Sequence, residues 1–198
     1  ATSSPLARSI ACATAVREIA LLREVTIGAA RAPLFIQGAP AAPPPRPRAL
    51  ARAPLSLPGV REAHLEIIDT IDVAPHADLC ELGLLLARTS FSFGRHFPMA
   101  AHLGVSPPVR VVIDADALPT NASRSAVRED TPLTRALPGA AAAGLADAIA
   151  GVAAALFGRG SAPEGVTVDT TNRTALEDAL GAFLCIAEAS LVARVALP

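Results

Sequence analysis

There is no lysine in this chain. All 17 basic residues are arginine, and tyrosine and tryptophan are missing too. The first absence excludes a lysine Schiff base, a P-loop lysine and a Ser-Lys dyad. With six phenylalanines as the only aromatics, the core has to be built from Leu, Val, Ile and Ala, which bury little area per residue. Beside so much Ala, Pro and Gly, the lack of lysine reads as coding bias in a GC-rich genome. Cysteine is sparse as well. Cys12, Cys80 and Cys185 are odd in number, far apart and set largely among apolar residues. They read as small buried hydrophobes in a reducing compartment, not as a disulfide or zinc framework.

Several catalytic signatures are also missing. The chain has no G-x-S-x-G, H-E-x-x-H, C-x-x-C, P-loop or G-x-G-x-x-G. No signal peptide is legible, because the Ser9–Leu22 run contains Arg17 and Glu18. The chain starts with Ala, which we read as a domain cut from a longer protein. A net charge of −1 argues against a general nucleic-acid binder. Charge is unevenly placed: eight arginines up to Arg61 face only Glu18 and Glu24, and six carboxylates with no arginine fill Glu62 to Glu81. The two blocks read as solvated faces that partly neutralise each other, or as a basic arm for an acidic partner.

A chain of 198 residues fits one large domain or two small ones. Residues 1–38 read as an N-terminal segment with a helix over Leu6–Leu22 and short strands over 24–27 and 32–36. Residues 39–58 carry seven prolines and read as a linker or surface loop; as Pro-Pro-Pro-Arg-Pro-Arg it also has the form of a ligand for an aromatic groove. Residues 59–198 read as the α+β core domain.

Within that domain the alternation predicts strands over His64–Ile71, Glu81–Thr89 and Val109–Asp114, with a turn or bulge at Gly94–His96. Thr131-Pro132 predicts a helix start, a hydroxyl cap followed by proline at the first helical position. Leu133, Leu137, Ala141, Leu145, Ile149, Val152 and Leu156 then form one apolar stripe, with Pro138, Gly139 and Gly144 expected to weaken or kink it. Asp147 at the centre of this stretch argues against a membrane span. A short strand is expected over Gly165–Val168, and Thr174 with Glu177 reads as a capping box for a last helix. The predicted fold is an α+β two-layer sandwich: a mixed, largely antiparallel sheet with helices on one face.

Candidate chemistry is thin. His64 with Glu66, and His76 with Asp78, place a histidine and a carboxylate on one strand face. They read as exposed polar residues of a half-buried strand or as a weak metal site. Asp114 and Asp116 read as turn formers at a strand end, or as paired carboxylates for acid–base work. Asn121-Ala-Ser and Asn172-Arg-Thr match glycosylation acceptors, which carry no weight without a secretory signal.

The most distinctive segment follows the Val109–Asp114 run: Leu118-Pro119-Thr120-Asn121-Ala122-Ser123-Arg124. It resembles the L-P-L-N-[IV]-S-R-E segment in the middle domain of the ninety-kilodalton heat-shock chaperones, called HtpG in bacteria. Leu118, Pro119, Asn121, Ser123 and Arg124 match in register, Thr120 and Ala122 replace apolar positions, and Ser125 stands where the family has Glu. The context is similar too: an apolar strand, a carboxylate-rich turn, the motif, then a long helix. The resemblance is specific around this motif, looser over residues 57–157, and does not extend before or after.

It implies a middle-domain fold like domain two of ribosomal protein S-five. It also implies a cytoplasmic chaperone ATPase of the gyrase–chaperone–kinase–MutL type. ATP with magnesium would sit in a separate N-terminal domain of the same protein, since no D-x-G-x-G fingerprint is present in this chain. Arg124 would reach the γ-phosphate when the domains close. A planar, permanently charged guanidinium suits that role. Asn121 and Ser123 would hold the loop, with Leu118 and Pro119 at its start. The implied partners are the N-terminal ATPase domain, client proteins and a second copy in a homodimer, with no nucleic acid and no membrane. Taken without the resemblance, Arg124 reads as the partner of Glu129 or Asp130 at the helix start.

Overall fold

The computed structural model describes residues 35–36, 39–40, 47–70, 74–82, 84–93, 96–103, 108–120, 127–128, 130–158 and 160–187. Two short strands, β1 (Phe35–Ile36) and β2 (Ala39–Pro40), pair with each other. The body is one six-stranded mixed sheet. Its strands are β3 (Ala49–Pro54), β4 (Glu62–Ile68), β5 (His76–Glu81), β6 (Leu84–Ser90), β7 (Val109–Ala115) and β8 (Thr167–Val168). They lie in the order β6-β5-β7-β4-β3-β8, and only the β5–β7 pairing is parallel.

Three helices accompany the described sheet: α1 (Pro98–Leu103), α2 (Pro132–Phe157) and α3 (Arg173–Ile186). Helix α2 packs on β3, β4 and β8, and α3 packs on α1 and α2. The coarse prediction of an α+β fold with a mixed, mostly antiparallel sheet agrees with this arrangement.

Alternation explains the layering. The odd residues Ala63, Leu65 and Ile67 of β4 and Val109, Val111, Ile113 and Ala115 of β7 join one apolar cluster with α2 and α3. Helix α2 is alanine-rich and comes close to the sheet. A side chain on Gly151 would meet Val166 and Val168, and one on Gly144 would meet Leu55 and Leu65. Phe91, Phe93, Phe97 and Phe183 run edge-to-face, at 5.1 to 5.8 Å between centroids, and tie the end of β6 and α1 to α3. Four of the six phenylalanines thus lie in one seam of the core.

The helix caps divide. At α2 the expected start holds: the Thr131 hydroxyl accepts from Thr134 N–H, and the Thr134 hydroxyl returns the contact to Thr131 N–H, with Pro132 next in line. The helix runs on through Pro138, Gly139 and Gly144 to Gly158, whose φ of 64° makes the left-handed cap. By length and composition α2 is apolar enough to cross a membrane, yet 61% of its most apolar window is buried within the protein. At α3 the start lies two residues earlier than the T-x-x-E pattern gave. Asn172 caps through Ala175 N–H (3.2 Å), and Glu177 pairs with Arg173 at 2.8 Å.

Three other expectations need correction. Ala49–Pro54, read as part of a proline-rich linker or loop, is a sheet strand. Its proline is the last strand residue, where the missing N–H costs least. The continuous strand expected over Glu81–Thr89 is instead a hairpin: β5 ends at Glu81 and β6 starts at Leu84. The tip residue Leu82 has φ 52°, a turn that an apolar run does not announce. Cys185 is exposed, whereas Cys80 is buried as expected. Cys12 and the helix expected over Leu6–Leu22 lie outside the described residues.

Candidate functional site

The even-numbered residues of β4, β5 and β7, with Arg52 of β3 and Arg88 and Ser90 of β6, lie on the other face of the sheet, and most of them are polar. Strand register aligns Arg52, Glu66, Arg110, His76 and Ser90 in one row across β3, β4, β7, β5 and β6. The next row is Pro54, His64, Val112, Asp78 and Arg88, and a third holds Glu62, Asp114 and Cys80. His64, Glu66, His76, Asp78, Arg110 and Asp114 are all buried. The sequence reading of His64, Glu66, His76 and Asp78 as exposed polar residues is therefore corrected.

Burying charge demands partners. Glu66 is 1% exposed and has two guanidiniums. Arg110 grips Oε2 through Nε at 2.7 Å and through Nη2. Arg52 approaches Oε1 through Nη2 at 2.6 Å and Nε at 3.2 Å. Burial alone would push the Glu66 carboxyl up; the contact with His64, the charge and hydrogen bonds of Arg110 and the hydrogen bonds of Arg52 outweigh it and hold it far below the usual carboxylate range. His64 Nε2 lies 3.4 Å from Glu66 Oε1 but makes no hydrogen bond. The two arginines are therefore the stronger cause on geometry.

Asp78 accepts a fork from Arg88, at 2.6 and 3.1 Å, and that hydrogen bonding raises the Arg88 guanidinium further. Asp114 pairs with Arg61, which is raised by the same kind of contact, and Asp116 lies 3.9 Å from Arg61. His76 donates from Nδ1 to the Ala74 carbonyl at 3.1 Å. Asp114 is thus a buried strand residue in an ion pair, not a turn former, and Arg61 lies beside both it and Asp116. Among the described residues, no group of three His, Cys, Asp or Glu could hold a metal ion.

These rows fasten β7 on both sides, and β7 leads into the motif segment. The loop's base is well defined. Leu118 is buried in the core, and its N–H donates to Glu81 Oε2 at 3.1 Å. Leu82 N–H donates to the Ala115 carbonyl, and Arg61 N–H to the Asp114 carbonyl. Thr120 bridges Val127 in antiparallel fashion, and Arg128 N–H donates to the Pro119 carbonyl at 2.8 Å, which closes the loop before α2 begins.

Of the residues singled out in the motif, Leu118 and Pro119 belong to this base. Asn121, Ser123 and Arg124 lie outside the described residues, as does Glu129. Asp130, the other partner considered for Arg124, has Arg135 at 3.1 Å. Sequence reading missed Glu81, Arg61, Arg52 and Arg110. A signal was there: strands with equal spacing of arginine and carboxylate on one alternation phase. Away from the loop, at the other end of β4, a cleft of ≈ 210 Å³ lies against α3, lined by Leu50, Ile68, Asp69, Ala175, Asp178 and Ala179 among others. Comparison with protein-family models, curated proteins and solved structures finds no match.

Proposed function

We propose that the chain is the middle, transducer-like domain of an HtpG-like cytoplasmic chaperone ATPase. ATP and magnesium bind in a separate N-terminal domain, and Arg124 meets the γ-phosphate when the two domains close. Conformational change driven by that closure is passed to client proteins, with a homodimer as the working assembly. The observation that supports this most is the setting of the motif. Leu118-Pro119 leaves the end of a central strand, the loop is closed by the Thr120–Val127 bridge, and a long capped helix follows. A planar, permanently charged guanidinium carried between those two elements suits transition-state charge stabilisation.

The test is Arg124→Ala with the ATP-binding domain present. Turnover is expected to fall about 100-fold or more, with nucleotide affinity changed less than about threefold. Equal turnover would overturn the proposal. A second reading, a non-catalytic α/β interaction or scaffold domain, is favoured by Ser125 in place of the family's Glu. It predicts unchanged turnover on the same substitution.

A further inference from the structure

We infer that the cleft between the end of β4 and helix α3 is a binding site for a small amphipathic cation, an ammonium group on a short aliphatic body; the site needs nothing from the motif loop. The sequence of α3 explains why a cleft is there. Leu176, Leu180, Phe183 and Ile186 belong to the stripe that packs into the core. Ala175, Asp178, Ala179 and Ala182 recur at three and four and line the cleft instead. Three of these four are alanine, so this side of the helix carries too little volume to fill the gap. From the β3–β4 side come Leu50 and Ile68, both buried and apolar. The space left is ≈ 210 Å³, below the roughly 300–1,000 Å³ of sites for drug-sized molecules. It suits a small ligand with an apolar body.

The surrounding charges select its sign. Asp69, Asp169, Glu177 and Asp178 all stand around the start of α3. Arg48 pairs with Asp169, and Arg173 pairs with Glu177 at 2.8 Å. Those two carboxylates do not line the cleft, whereas Asp69 and Asp178 do. Among the described residues neither Asp69 nor Asp178 has an ion-pair partner. Asp69 Oδ2 accepts from Asn172 Nδ2 at 3.2 Å, which ties the exit of β4 to the cap of α3. Among the described lining residues every charged side chain is thus acidic, and the nearby arginines are engaged by carboxylates outside the cleft. An ammonium held here is attracted by both Asp69 and Asp178, while its aliphatic body leaves water against Leu50, Ile68 and the α3 alanines.

The test titrates n-hexylamine, 1-hexanol and hexanoate into the 198-residue chain at about pH 7 and follows the amide shifts by two-dimensional NMR. The three probes share an apolar body and differ in charge. Hexylamine is expected to bind saturably, with shifts centred on Ile68, Asp69 and residues 175–182, and about tenfold more tightly than hexanol. Hexanoate should bind more weakly than hexanol. Asp178→Asn, at an exposed position, and Asp69→Asn, which keeps an acceptor for Asn172, should each weaken hexylamine about two- to fivefold and leave hexanol within about twofold. Ala182→Leu fills the cleft from a half-buried helix position and should weaken both probes about tenfold or more. Absence of saturable hexylamine binding overturns the inference. So does hexanol binding as tightly as hexylamine, unchanged hexylamine affinity in both aspartate variants, or shifts centred elsewhere. N-acetylarginine amide stands in for the side chain of a partner protein. If it binds more tightly than hexylamine, the cleft is a protein-docking pocket and the inference falls.

Discussion

Removing the Glu66 carboxylate should destabilise the protein more than any exposed ion pair does, and the loss should depend on Arg110. Glu66 is 1% exposed, the Arg110 side chain 7% and the Arg52 side chain 47%. Glu66→Leu leaves Arg110 charged, buried and unpaired, whereas Arg52 turns to water. Breaking a buried pair from one side costs about 3–5 kcal/mol, a large part of the 5–15 kcal/mol or so that holds an ordinary domain. Arg52→Ala, at a half-exposed site, should cost below about 1 kcal/mol. Replacing both buried partners, Glu66→Leu with Arg110→Met, removes the stranded charge and should lie within about 1–2 kcal/mol of the parent. The assay is urea unfolding of the four proteins, compared at equal m-value. A Glu66→Leu cost under about 1 kcal/mol, or a double variant no more stable than the single, would falsify the view that Arg110 depends on Glu66.

Two further outcomes follow from the same structure. The folded Glu66 carboxyl is held far below its unfolded value of about 4.3, so its stabilisation is present above that pH and is lost as pH falls towards the folded value. The stability gap between the parent and Glu66→Gln should therefore narrow from about pH 5 down to pH 2, and a gap independent of pH would refute it. In α2, Gly151→Ala and Gly144→Ala gain the same helix propensity, about 1 kcal/mol. At Gly151 the new methyl meets stiff valine methyls, 2.5 Å from Val166 Cγ1 and 3.3 Å from Val168 Cγ2. At Gly144 it meets chiefly the tip of the more flexible Leu55 side chain. Thermal unfolding should show Gly151→Ala destabilised by about 1 kcal/mol and Gly144→Ala neutral to slightly stabilised.

What the sequence disclosed depended on whether local chemistry and tertiary setting agreed. The Val109–Asp114 run and the Thr131-Pro132 start were legible because alternation and capping act over a few residues. The β5–β6 turn was not, because Leu82 takes a glycine-like backbone that is stabilised by a bond to distant Ala115. The Ala49–Pro54 strand was hidden by the proline-rich run before it and by Pro54, which says nothing against a strand when it closes one. The polar face was misread for a deeper reason. A period of two separates the faces of a sheet but cannot say that both are buried, and Glu66 becomes tolerable inside through Arg52 and Arg110, 14 and 44 positions away. The same limit hid Glu81 at the loop base, since its donor Leu118 belongs to another strand's exit.

The insertion of β7 between β4 and β5 also bears on the order of folding. Two hairpin-like units, β3–β4 and β5–β6, come first in the chain and pair locally. Neither completes the sheet until Val109–Ala115 slots between them, antiparallel to one and parallel to the other. Until then each half presents an unsatisfied inner edge with an apolar side, a state prone to pairing with a neighbouring molecule. Loop-closure entropy for that central strand must be met before its contacts form, so its docking is expected to be slow. Substitutions in β7 are then the ones expected to slow refolding, while changes at β8, whose two residues join the far edge, should act mainly on unfolding.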